Sequence, residues 1–333
     1  MTKARMLASS FPFGLMWLFG NLFIAIAGCR MDFDPASFVE QPRLVGVRAQ
    51  VVGDADRATP LPGERVRLEA WLLQPAMPIE VRVSVSICVG LDVRRGPSRC
   101  RGQPFWSALI PSSAEGLEAF EITVPNADVL QGASSLLFTF VLCRGPSNPR
   151  PLLSGPLCED PQIQGEIATF SLPIAYDPLS FNRNPSLDAM EVSIQEMAWL
   201  PAGETPPSDC RAVAGTPDLP LLVVPSSQSP IAFRILFSVP ESARERLPFP
   251  PEETRFESLL FSHYTTHGRL KRSFSAIDGL NSRPIEIEWE APPQSSLRPQ
   301  GTRVRFTWVA RDLRGGFGRS DRFLCLVPEE AMR

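Results

Sequence analysis

Histidine and lysine are almost missing from this sequence of 333 residues, which holds only two of each: His263, His267, Lys3 and Lys271. Zinc sites commonly use histidine ligands, and many nucleophilic hydrolases need a histidine base, so both classes are disfavoured. The motifs GxSxG, HExxH and GxxxxGKS/T, which mark three large groups of enzymes, do not occur either. We therefore predict that the chain is not an enzyme and that it binds no metal or cofactor.

An excess of positive charge is also missing. The formal net charge is −3, and it becomes −5 without residues 1–28, which contain Lys3 and Arg5 but no acid. This balance gives no basis for nucleic-acid binding. Proline, by contrast, is abundant, since its 35 residues are roughly twice the usual share. Because proline interrupts helices, we expect strands and loops rather than long helices.

The N-terminus has the three-part layout of an export signal: a positively charged start at residues 1–5, an uncharged apolar run at 11–26, and small residues after it. The end of this layout resembles the lipobox of bacterial lipoproteins, formed here by Ile26, Ala27, Gly28 and Cys29. The resemblance implies that residues 1–28 are removed and that a diacylglycerol is attached to the Cys29 sulfur. The alternative is that the apolar run is kept as an uncleaved anchor helix. A membrane span needs ~20 predominantly apolar residues, and this run could just provide one.

Lipid on Cys29 would hold the protein on a membrane. Each buried methylene contributes ~0.8 kcal/mol, so the two or three acyl chains found in this family give a firm anchor. Residues 29–42 are expected to be the lipidated cysteine and a tether. In the lipoproteins of enterobacteria, an aspartate after the cysteine favours the inner membrane. Here Arg30 follows the cysteine, which favours the outer membrane, with the folded part facing the periplasm or the cell surface.

The remaining cysteines form an even set: Cys88, Cys100, Cys143, Cys158, Cys210 and Cys325. In an exported chain such a set predicts disulfides. Cys88 ends the third predicted strand and Cys143 the sixth, so they should lie at opposite ends of a sandwich, beyond the ~4.4–6.8 Å that a disulfide spans between Cα atoms. Each is therefore expected to pair with its sequence neighbour, Cys100 and Cys158 respectively. Cys210 and Cys325 would then pair by elimination.

Apolar residues recur at every second position from residue 43 onward, which is the period of β-strands. The first such set, expected to share one face, is Val45, Val47, Ala49 and Val51. Seven predicted strands in ~135 residues suggest an antiparallel β-sandwich over residues 43–176. These strands are 45–51, 66–72, 79–87, 105–110, 118–124, 136–143 and 167–174.

A turn-rich segment, residues 177–188, is expected to link this region to a second sandwich over residues 189–330. Two hairpin turns are predicted there because glycine supplies a positive φ, at Thr266–Gly268 and Arg314–Gly316. The predicted strands are 190–197, 221–224, 231–239, 256–265, 269–274, 285–289, 304–311 and 323–327.

Two fragments resemble bacterial Ig-like domains: PGERVRLEAW at 62–71 and FTWVARDLRGGFG at 306–318. The order of lipobox, PGE turn, NRNP linker and RDLRGG hairpin is similar to lipoproteins of myxobacteria and their relatives. This resemblance covers most of the chain. It implies an all-β fold of two Ig-like antiparallel β-sandwich domains and a location in the cell envelope, and it implies no particular activity.

Several polar residues are candidates for chemistry. No acid or cysteine stands at a same-face position next to His263 and His267, so we interpret both as surface residues near a hairpin tip. Two rows of alternating charge are interpreted as solvated strand faces: Glu286, Glu288 and Glu290, and Arg303, Arg305 and Arg311. A hydrolase needs only two carboxylates, but the sequence does not indicate which two would converge.

Trp71 lies on the polar side of its predicted strand, where it is a candidate for stacking on a sugar or a partner. The linker or the flank of the first strand is an alternative cover for it. The leading hypothesis is a non-enzymatic, membrane-anchored interaction or structural subunit of the cell envelope, with a protein or glycan partner. The alternatives are a carbohydrate-binding lipoprotein for exopolysaccharide or peptidoglycan and a carboxylate-dependent hydrolase.

Overall fold

The computed structural model describes residues 36–91, 99–113, 116–150, 156–201, 203–226, 230–247, 255–278 and 283–332. The predicted export signal, Cys29 and the first part of the predicted tether lie outside these residues. Among the described residues, no helix is long and apolar enough to cross a membrane.

Two antiparallel sheets form the first sandwich. Its strands are β1 (Arg43–Val51), β2 (Arg65–Leu73), β3 (Val81–Leu91), β4 (Arg99–Cys100), β5 (Trp106–Ile110), β6 (Ser112–Ser113), β7 (Gly116–Leu117), β8 (Phe120–Thr123), β9 (Ser135–Arg144) and β10 (Gly165–Pro173). One sheet has the order β1-β2-β8, and the other has the order β10-β9-β3, with β5 beside β3 and β4 at its end. A short helix, α1 (Ala127–Leu130), precedes β9. This arrangement matches the strand order of Ig-like sandwiches.

The second sandwich has two five-stranded sheets. Its strands are β11 (Glu191–Ile194), β12 (Met197–Ala198), β13 (Leu221–Val224), β14 (Ala232–Ser238), β15 (Arg246–Leu247), β16 (Arg255–Phe256), β17 (Leu259–Thr265), β18 (Arg269–Leu270), β19 (Phe274–Ile277), β20 (Ile285–Glu290), β21 (Thr302–Arg311) and β22 (Phe317–Pro328). The sheet orders are β12-β11-β14-β20-β18 and β13-β22-β21-β17-β19, while β15 pairs with β16. Short 3-10 helices lie at Pro178–Ser180, Glu241–Ala243, Gln294–Ser296 and Glu329–Met332. The predicted all-β fold with two Ig-like sandwiches of antiparallel strands is confirmed, except that β13 pairs with β22 in parallel.

Each sandwich has its own apolar core, because alternate residues of every inner strand face the opposite sheet. Phe138 and Phe140 of β9 lie in the first core. The second core contains the fully buried indoles of Trp199, Trp289 and Trp308. At ~25 cal/mol per Å² of buried apolar surface, side chains of this size dominate the stability of a core.

The described cysteines form three disulfides, Cys88–Cys100, Cys143–Cys158 and Cys210–Cys325. Strands β3 and β9 are antiparallel neighbours in which Cys88 stands beside Leu137 and Cys143 beside Arg82. These two cysteines therefore lie at opposite ends of the strand pair, as predicted, and each bonds to its sequence neighbour.

Several local predictions of strands and turns are wrong. A β-bulge at Leu44–Gly46 turns Val45 away from the face of Val47, toward the second sandwich. The predicted strand 190–197 is a hairpin instead, because Gln195 and Glu196 both adopt positive φ and reverse the chain between β11 and β12. Such a turn usually contains glycine or asparagine, so the sequence gives no signal for it.

The segment Thr266–Gly268 is likewise not a hairpin. β17, before it, pairs with β19 and β21, whereas β18, after it, pairs with β20 in the opposite sheet. The chain therefore crosses between sheets here and again before β19, which divides the single strand predicted at 269–274. Arg314–Gly316, by contrast, is the predicted hairpin turn, joining β21 to β22.

A polar linker and an apolar cluster join the sandwiches within one compact unit. The Asn184 side chain donates to the Ala49 carbonyl (2.7 Å) and accepts from the Phe317 amide (3.0 Å). The apolar cluster contains Val39, Val45, Leu73 and Val309, with Trp71, Tyr264 and Phe317 against it. Since the linker side chains are buried and bonded to both sandwiches, the junction is a packed interface.

The last part of the predicted tether belongs to this interface. The Thr265 amide donates to the Ser37 carbonyl (2.8 Å), and the Val39 amide donates to the Thr265 carbonyl (2.9 Å). Val39 is buried in the same apolar cluster. Residues 37–39 are therefore held against the end of β17.

Candidate ligand groove

A groove lies between the sandwiches on the outer face of the sheet that contains β21 and β22. Arg303 and Arg305 project to this face because alternate residues of a strand share a side. Phe323 on β22 stands directly opposite Arg305. We call these three residues the floor of the arginine groove.

The floor is an uncovered interval between two covered regions of the sheet. On one side, Val309 and Phe317 are packed under the first sandwich. On the other side, the Cys210–Cys325 disulfide draws the β12–β13 loop over the end of β22. The groove therefore exists because both covers stop short of Arg303 and Arg305.

The walls of the arginine groove come from both sandwiches. One wall is the β2–β3 loop, with Gln74, Pro75, Ala76 and Pro78, and the other is the β12–β13 loop, with Glu204 and Thr205. The groove has a volume of about 710 Å³. The Gln74 side chain holds its own loop closed, since its Nε2 donates to the Ile79 carbonyl (3.2 Å) and its Oε1 accepts from the Ile79 backbone amide (3.3 Å).

The two arginines of the floor differ in their partners. Arg305 forms a bidentate ion pair with Asp321, at 3.1 and 3.0 Å, and Arg319 shares the same carboxylate at 2.9 Å. Arg303 donates to the Pro206 carbonyl and pairs with no carboxylate among the described residues. Burial, and then the charge of Arg305, lower the pKa of the Arg303 guanidinium. The groove thus presents a half-buried positive charge for which the described part of the chain supplies no carboxylate counterion.

Both guanidiniums lie over the Phe323 ring, each 5.8 Å from its centroid. Cation–π contacts of this kind orient the planar groups without neutralising them. Arg303 is therefore positioned to donate hydrogen bonds into the groove while its charge stays uncompensated.

The two charged rows predicted to be solvated have different outcomes. Glu286 and Glu288 are exposed, as predicted, and Lys271 reaches Glu288 at 3.6 Å. Glu290 is half-buried and contacts the same lysine. The arginine row is not solvated. Arg303 and Arg305 are half-buried in the groove, and Arg311 donates to the Val45 carbonyl (2.7 Å) at the junction.

His263 is buried, so its prediction as a surface residue is wrong. It faces the second core with 1% of its surface exposed, and its Nε2 lies 2.8 Å from the Ser275 hydroxyl. Burial, and then the charge of Arg272, lower its pKa to about 3. His267 is half-buried, and burial followed by the charges of Arg298 and Arg303 lowers its pKa to about 4. No three potential metal ligands of the His, Cys, Asp and Glu types cluster within the described ranges.

Trp71 lies at the junction. Its ring meets Phe317 edge-on, with centroids 6.5 Å apart and planes at 75°, and it is half-buried in the apolar cluster. The second sandwich therefore covers part of the indole.

Three carboxylates that the sequence did not single out meet near the linker: Glu245, Glu257 and Asp312. Arg314 pairs with Glu245 at 3.1 Å, and the Glu245 amide donates to Glu257 at 2.9 Å. Asp312 accepts from the amides of Arg314 and Gly316, both at 2.8 Å. Asp312 also accepts from the Asn182 side chain (2.6 Å), and Arg314 donates to the Phe181 carbonyl (3.1 Å), so the cluster holds the β21–β22 hairpin against the linker. Asp312 and Glu257 expose only 4% and 2% of their surfaces, which is unsuited to contact with a substrate.

No protein-family model and no curated protein matches the chain. Among solved structures it is similar to the D0-D1 domain of intimin, with 9% identity, a TM-score of 0.19, and coverage of 85% of this chain and 98% of that one. It is also similar to a bacterial ice-binding adhesin, with 10% identity, a TM-score of 0.21, and coverage of 87% of this chain and 66% of that one. For red sea bream transglutaminase the identity is 11%, the TM-score is 0.20, and coverage is 94% of this chain and 34% of that one. At these TM-scores, the likeness assigns the chain to no family.

Proposed function

We propose that this protein is a lipoprotein of the cell envelope, anchored in the outer membrane through Cys29, whose two sandwiches act together as a rigid, non-enzymatic interaction module. The lipobox supports the anchor, and the fold supports the interaction role. A hydrolytic role receives no support from Glu245, Glu257 and Asp312, because their hydrogen bonds and ion pairs are used to hold the junction.

The observation that carries the proposal is the arginine groove, which is built from both sandwiches. Such a groove keeps its shape only if the sandwiches do not move relative to each other. The junction supplies this condition, since Asn184 bonds to β1 and to β22 at the same time. Preorganised surfaces bind better because less conformational entropy is lost on binding.

The anchor is tested by expressing the full chain with labelled palmitate in a Gram-negative host. We expect label on the wild type, a mass that shows loss of residues 1–28, and recovery in the outer-membrane fraction. Cys29→Ser should remove the label and leave the full-length precursor. A wild-type chain that keeps residues 1–28 and carries no label would show an uncleaved anchor helix instead.

The interaction role is tested by mass spectrometry of material that co-purifies with the tagged chain after mild detergent extraction of its native membranes. We expect a stoichiometric envelope component that is lost when the groove is altered by Arg303→Gln and kept with Arg234→Gln, a charge-matched change on the exposed face of β14. Turnover of an envelope substrate by the purified chain, abolished by substitution of one carboxylate, would overturn the non-enzymatic role.

A further inference from the structure

We propose that the arginine groove binds the carboxylate of an acidic saccharide, such as a uronate unit of an envelope or extracellular polysaccharide. This inference rests on the proposed interaction function and names the chemical class of its ligand. It is carried by the charge of the groove, by its geometry and by the unused hydrogen-bonding groups on its wall.

Charge selects an anion. Arg303 is half-buried, lies beside Arg305, and has no carboxylate partner among the described residues. Two adjacent guanidiniums repel each other, and Asp321 is already shared by Arg305 and Arg319. An incoming carboxylate would supply the counterion that Arg303 lacks. Arginine favours this partner because its planar N–H groups match the two carboxylate oxygens.

The free hydrogen-bonding groups suit hydroxyls. Glu204 and Thr205 are exposed on the wall opposite the β2–β3 loop, and neither side chain bonds to another described residue. A carboxylate such as Glu204 accepts hydrogen bonds from hydroxyls, and a threonine hydroxyl both donates and accepts. The volume of about 710 Å³ lies within the range of roughly 300–1,000 Å³ that is typical of ligand sites.

The same surface is poorly suited to a peptide. β21 pairs with β22 along its whole length but with β17 only as far as Phe306. Beyond that point, Thr266 bonds to the amide and the carbonyl of Arg305 (3.0 and 3.1 Å), so the backbone edge left beside the floor is too short for an added strand. Phe323 exposes only 5% of its surface because the guanidiniums cover it. The floor therefore lacks an apolar pocket for a side-chain anchor, and the combination favours a sugar acid over an acidic peptide.

The test is isothermal titration calorimetry of the purified full chain in detergent with three probes: trigalacturonate, the neutral trigalactose and a triglutamate peptide. We expect trigalacturonate to bind, with an affinity that falls as salt is raised, and trigalactose to bind at least about tenfold more weakly. Loss of one charge-assisted hydrogen bond changes affinity by about tenfold or more.

Four variants place the ligand in the groove. Arg303→Gln should weaken trigalacturonate binding about tenfold, and Arg303→Lys should recover part of the affinity because it keeps the charge but not the planar donors. Glu204→Gln should strengthen binding because it removes a negative charge that repels the ligand carboxylate, while the glutamine oxygen can still accept from a hydroxyl. Arg234→Gln, on the other sheet, should leave the affinity unchanged. Glu204 lies on an exposed loop, so its variant tests the site even if Arg303→Gln fails to fold.

Three outcomes would overturn the inference. They are absence of trigalacturonate binding, equal losses with Arg303→Gln and Arg234→Gln, and binding of triglutamate as tight as that of trigalacturonate, which would indicate an acidic peptide partner. Palmitate labelling and co-purification are measured independently of these titrations, so they could still support the proposed function. Failure of the ligand assignment is therefore distinguishable from failure of the proposed function.

Discussion

Asn182 and Asp312 are 130 positions apart in the chain and hydrogen-bond to each other, with the Asn182 Nδ2 donating to the Asp312 Oδ2 at 2.6 Å. The Asn182 backbone N–H also donates to the Thr59 hydroxyl (2.8 Å), and the Asn182 backbone carbonyl accepts from the Ala58 backbone N–H (2.8 Å). One linker residue thus bonds to a loop of the first sandwich and to the β21–β22 hairpin of the second. Coupling of the sandwiches depends on buried polar bonds as well as on apolar contact.

Replacing Asn182 with alanine is expected to destabilise the whole protein. The change leaves the Asp312 carboxylate buried without one of its donors, which costs about 1–3 kcal/mol. We expect the urea midpoint to fall and thermal unfolding to separate into two transitions, because the sandwiches lose part of their coupling.

Asn126→Ala is the matched control for this change. Asn126 is exposed before α1, and its side chain makes no capping hydrogen bond, so the variant should stay within about 0.5 kcal/mol of the wild type. Equal effects of Asn126→Ala and Asn182→Ala would show that the linker amide does not couple the sandwiches.

The strand period predicted most of the sheet structure, because burial of one face requires alternation in every strand. It also contained a signal that the histidine prediction overlooked: His263 is in phase with Leu259 and Phe261, which both face the core. Alternation does not show which of two sheets a strand joins. The sequence therefore predicts a hairpin at Thr266–Gly268, where the chain crosses between sheets.

The arginine groove could not be predicted from the sequence, for a different reason. Arg303 and Arg305 alternate with core residues, as they would on any solvated strand face. They are half-buried in a groove whose other wall, with Pro75 and Pro78, belongs to the first sandwich, more than 200 positions away in the sequence. Docking of the two sandwiches creates the site, and no local pattern records it.

Glu257 should make the protein less stable as pH rises. Burial, and then the charges of Asp312 and Glu245, raise its pKa from 4.5 to about 7, against a backbone hydrogen bond that lowers it. The folded chain therefore holds a proton that the unfolded chain releases above pH 4.5, and this stabilisation is lost as pH rises through 7.

Glu257→Gln removes this titration while keeping an oxygen for the Glu245 amide. Relative to the wild type, its free energy of unfolding should be similar at pH 5 and about 2–3 kcal/mol higher at pH 8. Urea denaturation at both values measures the difference. A constant offset between the two proteins at pH 5 and pH 8 would contradict the expected role of Glu257.

His263 should have the opposite effect at acid pH. Its pKa in the folded chain, about 3, lies below the ordinary 6.5. Between these two pH values His263 is therefore protonated in the unfolded chain and neutral in the folded chain. The stabilisation is complete above pH 6.5 and is lost as pH falls toward 3. His263→Gln should therefore reduce the slope of unfolding free energy against pH by about 1.4 kcal/mol per unit between pH 6 and 4.

This change should also cost stability at neutral pH, because the contact with Ser275 is altered, so the slope rather than the absolute value is the test. Urea midpoints at pH 7, 6, 5 and 4 supply it. Curves for the wild type and His263→Gln that run parallel over this range would exclude His263 as an acid-sensitive residue.

The Cys210–Cys325 disulfide should contribute more stability than Cys88–Cys100. Their sequence separations are 115 and 12 residues, and cross-links that close longer loops remove more entropy from the unfolded chain. Paired alanine substitutions should cost about 4–5 kcal/mol for the long loop and about 3 kcal/mol for the short one. The long-loop variant should also lose groove binding, because this disulfide holds the β12–β13 wall over β22.

The short-loop variant is the control for both effects, because Cys100 is exposed and its disulfide lies outside the groove lining. Urea unfolding gives the two stability losses, and titration at a temperature where each variant is folded gives the binding. If the long-loop variant bound like the wild type, the β12–β13 loop would be held in place by its contacts alone. The groove would then not depend on the disulfide, even if the stability order were as expected.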